Sequence, residues 1–168
     1  MAKGKTKPAK DKDTDDVIVN VCQNRRARHD YHLTDPIECG IALVGTEVKS
    51  LREGQAKLDE AYAKIENGEA WLVNAEVPEY TFGNRLNHKP RRQRKLLLHR
   101  REIVKLEEGS AQKGFTLVPL RMYFKNGKAK VEIAIGQGKQ NYDKRQSLKK
   151  AEAKRDIDRA MSQRRKKN

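Results

Sequence analysis

The sequence predicts a small, mainly antiparallel β-barrel with one long helix and a charged tail at each end. Two pairs of alternating apolar segments turn at Asn67-Gly68 and at Asn126-Gly127. Asn-Gly tolerates positive φ at both turn positions, which type I′ hairpins require. A further segment, 37–48, is apolar on both faces and contains two glycines, which is typical of a bent strand in a closed barrel.

Length and composition limit the chain to one folded domain with tails, or at most two small domains. Hydrophobic and charged residues each make up 36% of the 168 residues, so the core does not extend over the whole length. Residues 1–16 contain no large apolar side chain after Met1, and we expect them to be disordered. We expect the same of the basic tail 143–168 in the free protein, which leaves 17–142 as the domain.

The elements before the first hairpin are two strands and a short connection. Residues 17–22 are β-branched and alternate loosely, which predicts the first strand. The basic segment 24–31 predicts a short helix or turn, and 37–48 is the bent strand. The first hairpin then runs over 61–77.

Between the two hairpins the sequence predicts one helix, from about Pro90 to Glu108. Proline suits the first helical position, and Gly109 suits the position just past the end. In the second hairpin Pro119 lacks an amide donor, so its strand lies at an edge or carries a bulge. About six antiparallel strands with one long helix between two hairpins fit a barrel of the OB type.

Charge indicates the class of partner. The formal net charge is +15, and residues 139–168 contain twelve Lys or Arg against four acids. This tail favours nucleic acid over an anionic membrane, because Leu148, Ile157 and Met161 are too few for the apolar stripe of a membrane-binding helix. The sequence shows no membrane-spanning run and no secretory signal, so we expect a cytoplasmic protein with Cys22 and Cys39 as reduced thiols.

The predicted helix carries its charges in an unfavourable order. Its first turn contains Arg91, Arg92, Arg94 and Lys95, and its end contains two glutamates, the reverse of what the helix dipole favours. We interpret this whole cluster, Arg94 and Lys95 included, as phosphate contacts, with a solvated face as the alternative. In the run 96–98, either one leucine faces outward and packs on RNA, or all three are buried.

A second basic patch contains Arg25, Arg26 and Arg28, with Tyr31 beside it. Arginine forks match phosphate and stack on bases, and Tyr31 is either a stacking plate or a residue at the edge of the core. Aromatic residues make up only 5% of the chain. This argues against a surface that threads single strands over stacked rings and favours recognition of a folded RNA by its shape.

Sequence motifs for catalysis are absent. The sequence has no P-loop, no dinucleotide-binding glycine motif and no nucleophile elbow, and no evident carboxylate pair for acid–base chemistry. The spacing of Cys22, His29, His32 and Cys39 is not a common structural-zinc pattern. We therefore expect a protein that is not an enzyme and uses no metal or other cofactor.

Several segments closely resemble the SsrA-binding protein family, also called small protein B. They are NRRARHDY at 24–31, ECGIALVGTEVKSLR at 38–52, RKLLLH at 94–99, and Gly138-Lys139 together with 143–145. The resemblance covers about residues 17–161. It implies an OB-type barrel that grips the tRNA-like part of transfer-messenger RNA. It further implies a role in trans-translation on ribosomes stalled on an mRNA without a stop codon.

The resemblance also implies partners and sites. The implied partners are transfer-messenger RNA, the 70S ribosome with its small-subunit RNA, and elongation factor Tu in the delivery complex. The resemblance also implies that the protein is a monomer in the RNA complex and does not bind a membrane. The implied RNA-side residues are Asn24, Glu38, Leu97, Lys130 and Lys139. The tail is implied to fold as a helix in the empty mRNA channel near the decoding centre, where the acting residues are Tyr142, Asp143, Lys144, Arg145 and Met161.

Some features leave alternatives open. Glu38 on an RNA surface accepts a hydrogen bond from a base amino group or a 2′-OH, or it forms a structural pair with a nearby arginine. Many members have His where this chain has Tyr142, and we expect the tyrosine ring still to stack on a ribosomal RNA base. Ile is common where this chain has Ala160, so we expect weaker apolar anchoring of the tail.

Two rival functions remain open from the sequence. One is a general RNA-binding or ribosomal OB-fold protein, and the other is an RNA-processing enzyme.

Overall fold

The computed structural model describes residues 17–83, 85 and 87–140. In this part of the chain seven antiparallel strands form one sheet, and three helices connect them. In chain order the elements are β1 (Ile18–Gln23), α1 (Ala27–Asp30), β2 (Tyr31–Ile41), α2 (Gly45–Arg52), β3 (Tyr62–Glu66), β4 (Glu69–Val73), β5 (Arg94–Leu97), α3 (Arg100–Ser110), β6 (Phe115–Lys125) and β7 (Lys128–Gly138). The prediction of a mainly β fold is confirmed.

The strand pairings close on themselves. The order is β1-β6-β3-β4-β5-β2-β7, and β6 also pairs with β7, so six strands form a ring. β1 lies outside this ring and pairs with the second half of β6. Inward-facing residues such as Leu72, Leu96 and Val131 fill the interior and have almost no exposed surface. This closure agrees with the predicted barrel.

Both predicted hairpins are present. Asn67 and Gly68 have φ of 54° and 71°, and Asn126 and Gly127 have φ of 50° and 76°, as a type I′ turn requires. The register of β6 against β7 shifts between Pro119 and Arg121, so the proline lies at a bulge. β6 is not an edge strand, since it pairs with β1, β3 and β7.

The predicted bent strand over 37–48 is wrong beyond Ile41. The chain leaves the sheet there, and α2 begins at Gly45. Glu47 accounts for the difference, because its carboxylate accepts a hydrogen bond from the N–H of Val44 at 2.9 Å and so caps the new helix. In the sequence this acid gives no sign of being buried, yet it has no exposed surface.

The predicted helix from Pro90 to Glu108 starts ten residues too early. Its first half contains β5, and α3 begins only at Arg100, where Glu102 caps the N–H of His99 at 2.7 Å. Its end is also different, because Gly109 lies inside α3 and packs on Ile135, where a Cβ would come within 2.3 Å of that side chain. The helix-dipole argument for the arginines before residue 100 therefore does not apply.

The helices mark two opposite ends of the barrel. At the α1 end, β2 begins directly after α1 and its first residue, Tyr31, pairs with Gly138 at the end of β7. At the α2 end, β2 leads into α2, and Leu51 and Gly127 line one groove with the start of β1. The two ends present different side chains to a partner.

Candidate nucleic-acid interface

The α1 end presents a basic cluster on a fixed support. Asn24 is buried: its Oδ1 accepts from the N–H of Ala27 at 3.0 Å, and its Nδ2 donates to the carbonyls of Leu58 and Pro119 at 3.2 and 3.3 Å. These bonds hold the start of α1 against the barrel. The structure thus gives Asn24 a supporting task, and its contact with RNA stays a prediction.

Three arginines project from this support. Arg25, Arg26 and Arg28 are exposed, as the sequence predicts. Lys139 joins them, because its N–H donates to the carbonyl of Asp30 at 2.9 Å and its Nζ donates to the carbonyl of Arg28 at 2.7 Å. We call these four residues the α1 cluster. Their charges lie on one surface although Lys139 is more than a hundred residues from the arginines in sequence.

A groove runs beside the α1 cluster. Arg28, Tyr31 and Lys139 line it, together with Glu132 on β7. Tyr31 is half-buried, and its ring packs close to Gly136, where a Cβ would lie 3.3 Å from the tyrosine Cβ and Cδ1. The residue therefore belongs to the edge of the core and still offers part of its side chain to the groove.

A second candidate surface lies on the outer face of the barrel. Residues opposite each other in adjacent strands share a face, and Gly40 on β2 lies opposite Leu97 on β5 and Lys130 on β7. A Cβ at Gly40 would lie 3.2 Å from the Cβ of Leu97. Glu38, Lys95, Leu97 and Lys130, which we call the outer stripe, are thus brought together from three strands.

Leu97 is the apolar member of the outer stripe. Its exposed fraction is 55%, whereas Leu96 is 2% exposed and Leu98 is half-buried. The alternation of β5 explains this difference, since neighbouring residues in a strand point to opposite faces. One of the three leucines therefore does face outward. Lys95, beside it, forms an ion pair with Glu69.

Glu38 is held in place by groups of β6 and β7. The hydroxyl of Tyr123 donates to its carboxylate at 2.5 Å, Lys130 Nζ lies at 3.3 Å, and Lys125 Nζ lies at 3.9 Å. The tyrosine hydrogen bond and the two lysines hold the pKa of Glu38 below its usual value against the effect of burial. The carboxylate is therefore ionised and orientated at neutral pH, by a tyrosine and lysines rather than by the arginine that the sequence suggested.

Two neighbours of Glu38 were not among the predicted residues. Tyr123 of β6 is buried and lies opposite Lys130 of the outer stripe. Arg121 lies 4.8 Å from the centre of the tyrosine ring and pairs with Glu132 at 2.5 Å. The polar positions of the second hairpin alternate with its apolar ones, which is the signal that assigns them to one outer face.

Arg94 has a different position from the one predicted. It has no exposed surface; its Nε pairs with Glu47 at 2.9 Å, and its other nitrogens donate to the carbonyls of Ala75, Pro90 and Arg92. All of its donating groups face the protein. We therefore leave Arg94 out of the RNA surface proposed below.

Glu47 receives two arginines. Arg92 approaches its carboxylate at 2.5 and 2.7 Å, beside the bond from Arg94. Burial raises the pKa of this carboxyl, but the hydrogen bonds from Arg92 and Val44 and the two positive charges outweigh it, so the pKa lies below its usual value. The carboxylate is the buried partner that the arginine run requires.

All the cysteine and histidine residues lie in the described part of the chain. Among the described residues, no group of three or more His, Cys, Asp or Glu side chains is placed to hold a metal ion. Burial raises the pKa of the Cys22 thiol to about 11 and that of Cys39 to about 12. Both thiols are therefore protonated at neutral pH. Within the described ranges the helices are also too short or too polar to cross a membrane.

The predicted ribosomal residues lie outside the described part of the chain. They are Tyr142, Asp143, Lys144, Arg145 and Met161, and the expected boundary between domain and tail at 142/143 lies there as well.

Comparison with known proteins identifies the family. The model of the family described as SmpB protein matches residues 21–163. The chain belongs to the SmpB protein family. It is 58% identical over 145 residues to the SsrA-binding protein of Thermobifida fusca (strain YX), covering 86% of this chain and 91% of that relative. It is 52% identical over 161 residues to the SsrA-binding protein of Levilactobacillus brevis, covering 96% of this chain and 98% of that relative.

A solved structure supports the fold of this SmpB family member. The chain is similar to a chain of the structure described as "tmRNA-SmpB: a journey to the center of the bacterial ribosome", with a TM-score of 0.62 and 48% sequence identity. The match covers 71% of this chain and 85% of that one. The predicted family is thus confirmed.

Proposed function

We propose that this chain is a non-enzymatic adaptor that binds the tRNA-like part of transfer-messenger RNA and delivers it to stalled ribosomes in trans-translation. The observation that carries the proposal is the match to the SmpB family over residues 21–163, which include both candidate RNA surfaces. Relatives that share half or more of their residues with this chain are named for binding SsrA.

The RNA-binding part of the proposal rests on the α1 cluster and the outer stripe. The α1 cluster supplies three exposed arginines and the half-buried Lys139 for phosphates. The outer stripe supplies Leu97, Lys130 and the orientated carboxylate of Glu38. Phosphate contacts position a folded RNA, whereas a fixed acceptor and an apolar contact discriminate among bases and riboses. A surface of this kind recognises a folded RNA mainly by its shape and backbone, and it reads bases only at the few positions that contact Glu38 and Leu97.

The tail is assigned a separate task. We propose that residues 143–168 act in the mRNA channel near the decoding centre, through Asp143, Lys144, Arg145 and Met161, with Tyr142 stacking at the boundary. The support is the basic composition of the segment and its resemblance to the family. Elongation factor Tu in the delivery complex and a monomeric state on the RNA belong to the same proposal.

RNA selection tests the first part. The full chain is titrated with a tRNA-like transcript and with an unfolded transcript of equal length at the same salt concentration, because affinities at different salt are not comparable. We expect clear preference for the tRNA-like transcript. Equal affinity for both would favour the general RNA-binding alternative, and RNA cleavage without ribosomes would favour an enzyme.

A tail variant tests the second part. Asp143→Ala is expected to bind the tRNA-like transcript as the unchanged chain does and to lose peptide tagging on stalled ribosomes. Gln163→Ala in the same tail is the control and should retain tagging. If Asp143→Ala loses RNA affinity as well, the division between barrel and tail is wrong.

A further inference from the structure

Tyr123 is a buried residue on the outer face of the barrel. Its neighbours Met122 and Phe124 belong to the hydrophobic core, so the alternation along β6 turns Tyr123 to the other side of the sheet. Side chains on that side are usually open to solvent, yet Tyr123 is only 2% exposed. The guanidinium of Arg121 lies 4.8 Å from the centre of its ring, and Lys130 lies opposite it on β7. The tyrosine is therefore enclosed among charged side chains.

The hydroxyl of Tyr123 donates its proton to Glu38. The distance from the phenolic oxygen to Oε2 of Glu38 is 2.5 Å. Burial and this hydrogen bond raise the pKa of Tyr123 above its usual value, so the hydroxyl keeps its proton at neutral pH. Because the residue is closed to solvent, its hydroxyl is a fixed donor to the carboxylate and does not itself reach RNA.

Arg121 covers the tyrosine ring and binds a different acid. Its Nε pairs with Glu132 at 2.5 Å. Glu132 lies directly opposite Glu38 in the pairing of β2 with β7, and two like charges in that arrangement repel each other. In the folded protein each acid has its own partners. Glu132 binds the arginine, which leaves Glu38 to Tyr123 and Lys130.

Glu38 can accept a further hydrogen bond. An ionised carboxylate has about four lone-pair positions. Tyr123 occupies one of them on Oε2, and Lys130 Nζ lies 3.3 Å from Oε1. The side chain of Glu38 is 36% exposed, so open lone pairs are accessible to a partner. A carboxylate held at one oxygen presents these lone pairs in a set direction, which suits a base amino group or a 2′-OH at one position of a folded RNA.

We infer that Tyr123 is a positioning residue for RNA selection, whose buried hydroxyl fixes the direction in which Glu38 offers its carboxylate to the bound RNA. This inference rests on the proposed function, because it requires Glu38 to contact the tRNA-like RNA. Without the hydroxyl, the carboxylate keeps its charge but is held by lysines alone. Ordering it again when RNA binds then costs affinity.

Tyr123→Phe tests the inference, because it removes the hydroxyl and keeps the ring. The affinities of the full chain for the tRNA-like transcript and for arbitrary RNA are measured at one salt concentration. Tyr123→Phe is expected to reduce the preference for the tRNA-like transcript about threefold to tenfold, the effect of one lost hydrogen bond. Tyr62→Phe on β3 is the matched control, since it removes an exposed hydroxyl, and it should keep the full preference.

A double-mutant cycle shows whether Tyr123 acts through Glu38. In the Glu38→Ala background, Tyr123→Phe should cause no further loss of preference, because no carboxylate remains to be positioned. An equal loss in both backgrounds would mean that Tyr123 acts by another route, and it would overturn the inference.

The titration of Glu38 is a readout that a merely structural role of the ring would not move. The carboxyl carbon of Glu38 is followed by NMR over a series of pH values and is assigned by its absence in Glu38→Ala. The hydrogen bond from Tyr123 is the main cause that lowers the pKa of Glu38, so Tyr123→Phe should raise this pKa and Tyr62→Phe should not. An equal pKa in the unchanged chain and in Tyr123→Phe would contradict the inference.

The inference and the proposed function fail in different ways. If the unchanged chain prefers the tRNA-like transcript and Tyr123→Phe prefers it equally, the inference alone is overturned. If the unchanged chain shows no preference, the proposed function is overturned, and the inference falls with it.

Discussion

Two arginine-rich segments of this chain are alike in sequence and differ in the folded protein. Arg25, Arg26 and Arg28 follow β1 and project into solvent, whereas Arg94 is buried and Arg92 is half-buried and paired with Glu47. Arg91 is exposed but pairs with Glu76 at 2.9 Å and approaches Glu60 at 3.5 Å. The first segment is available to phosphates, and the second stabilises the contact between α2, β5 and the loop before β5.

The difference arises from carboxylates that are distant in sequence. Glu47 lies 45 and 47 residues from the arginines that it binds. Arginine forks bind a carboxylate or a phosphate with the same geometry, so the run itself does not reveal which partner it has. A cluster of arginines therefore indicates an RNA surface only when carboxylates of the same protein do not already bind it.

The largest effect is expected from breaking the buried pair. Glu47→Gln keeps the shape of the side chain and leaves the charge of Arg94 without its buried partner, so we expect a loss of about 3–5 kcal/mol in the free energy of unfolding. Chemical denaturation measures this value. Glu53→Gln, an exposed glutamate at the end of the same helix, is the control and should change stability by less than about 0.5 kcal/mol. Equal effects of the two variants would contradict the structural assignment.

Acid should weaken the same pair. The pKa of Glu47 in the folded protein lies below its unfolded value, so its carboxylate contributes stability above the unfolded pKa. That contribution is lost as the pH falls through the folded pKa. We expect the unchanged chain to lose stability more steeply on acidification than Glu47→Gln, when unfolding curves are recorded over a series of pH values. Parallel pH profiles would exclude Glu47 as the titrating group.

A smaller loss of stability is expected at the support of the α1 cluster. Asn24→Ala removes the acceptor of the Ala27 N–H and the donor to two buried carbonyls. Leaving these groups unpaired should cost about 1–3 kcal/mol. Thermal unfolding of Asn24→Ala measures this loss. Gln23→Ala, which changes an exposed neighbour, is the control in the same experiment. An unchanged melting temperature together with lost RNA affinity would instead make Asn24 a direct RNA contact.

The smallest change in stability is expected at the outer stripe. Glu38 is partly exposed, and Glu38→Gln should change stability by less than about 1 kcal/mol, because surface ion pairs contribute little. We expect its affinity for the tRNA-like transcript to fall more than its affinity for arbitrary RNA, because the charged carboxylate is replaced by a neutral amide in which one acceptor oxygen has become a donor. Filter binding with both RNAs measures the ratio. Tighter binding to both RNAs would mean that Glu38 only offsets the charge of Lys130.

The hairpins and the alternating faces were predictable from sequence because they depend on local patterns. Asn67-Gly68 and Asn126-Gly127 specify their turns without help from the rest of the chain. The outer stripe was predicted only in part. Leu97 and Lys130 were assigned by resemblance to the family. Tyr123, which lies opposite Lys130, was not identified, because the alternation within one strand does not show which residue of the neighbouring strand lies opposite.

Burial of charge was the part that local patterns did not predict. α2 and β5 were missed because both depend on Glu47, an acid inside the protein that binds arginines far along the chain. Pro90 and Gly109, at positions that suit the two ends of a helix, favoured a single long helix, and the tertiary ion pair outweighed these local signals. The wrong predictions thus concern the segments around Glu47 and Arg94, whose charged side chains are buried in the folded protein.

Salt-dependent RNA binding tests the comparison of the two arginine segments most directly. Two double variants remove the same number of charges: Arg25→Ala with Arg28→Ala, and Arg91→Ala with Arg92→Ala. For the tRNA-like transcript, the slope of log affinity against log salt should become shallower by roughly 2 in the first variant and stay unchanged in the second, since each lost phosphate contact removes about 0.9. A shallower slope for the Arg91/Arg92 variant, with the Arg25/Arg28 variant unaffected, would contradict the account.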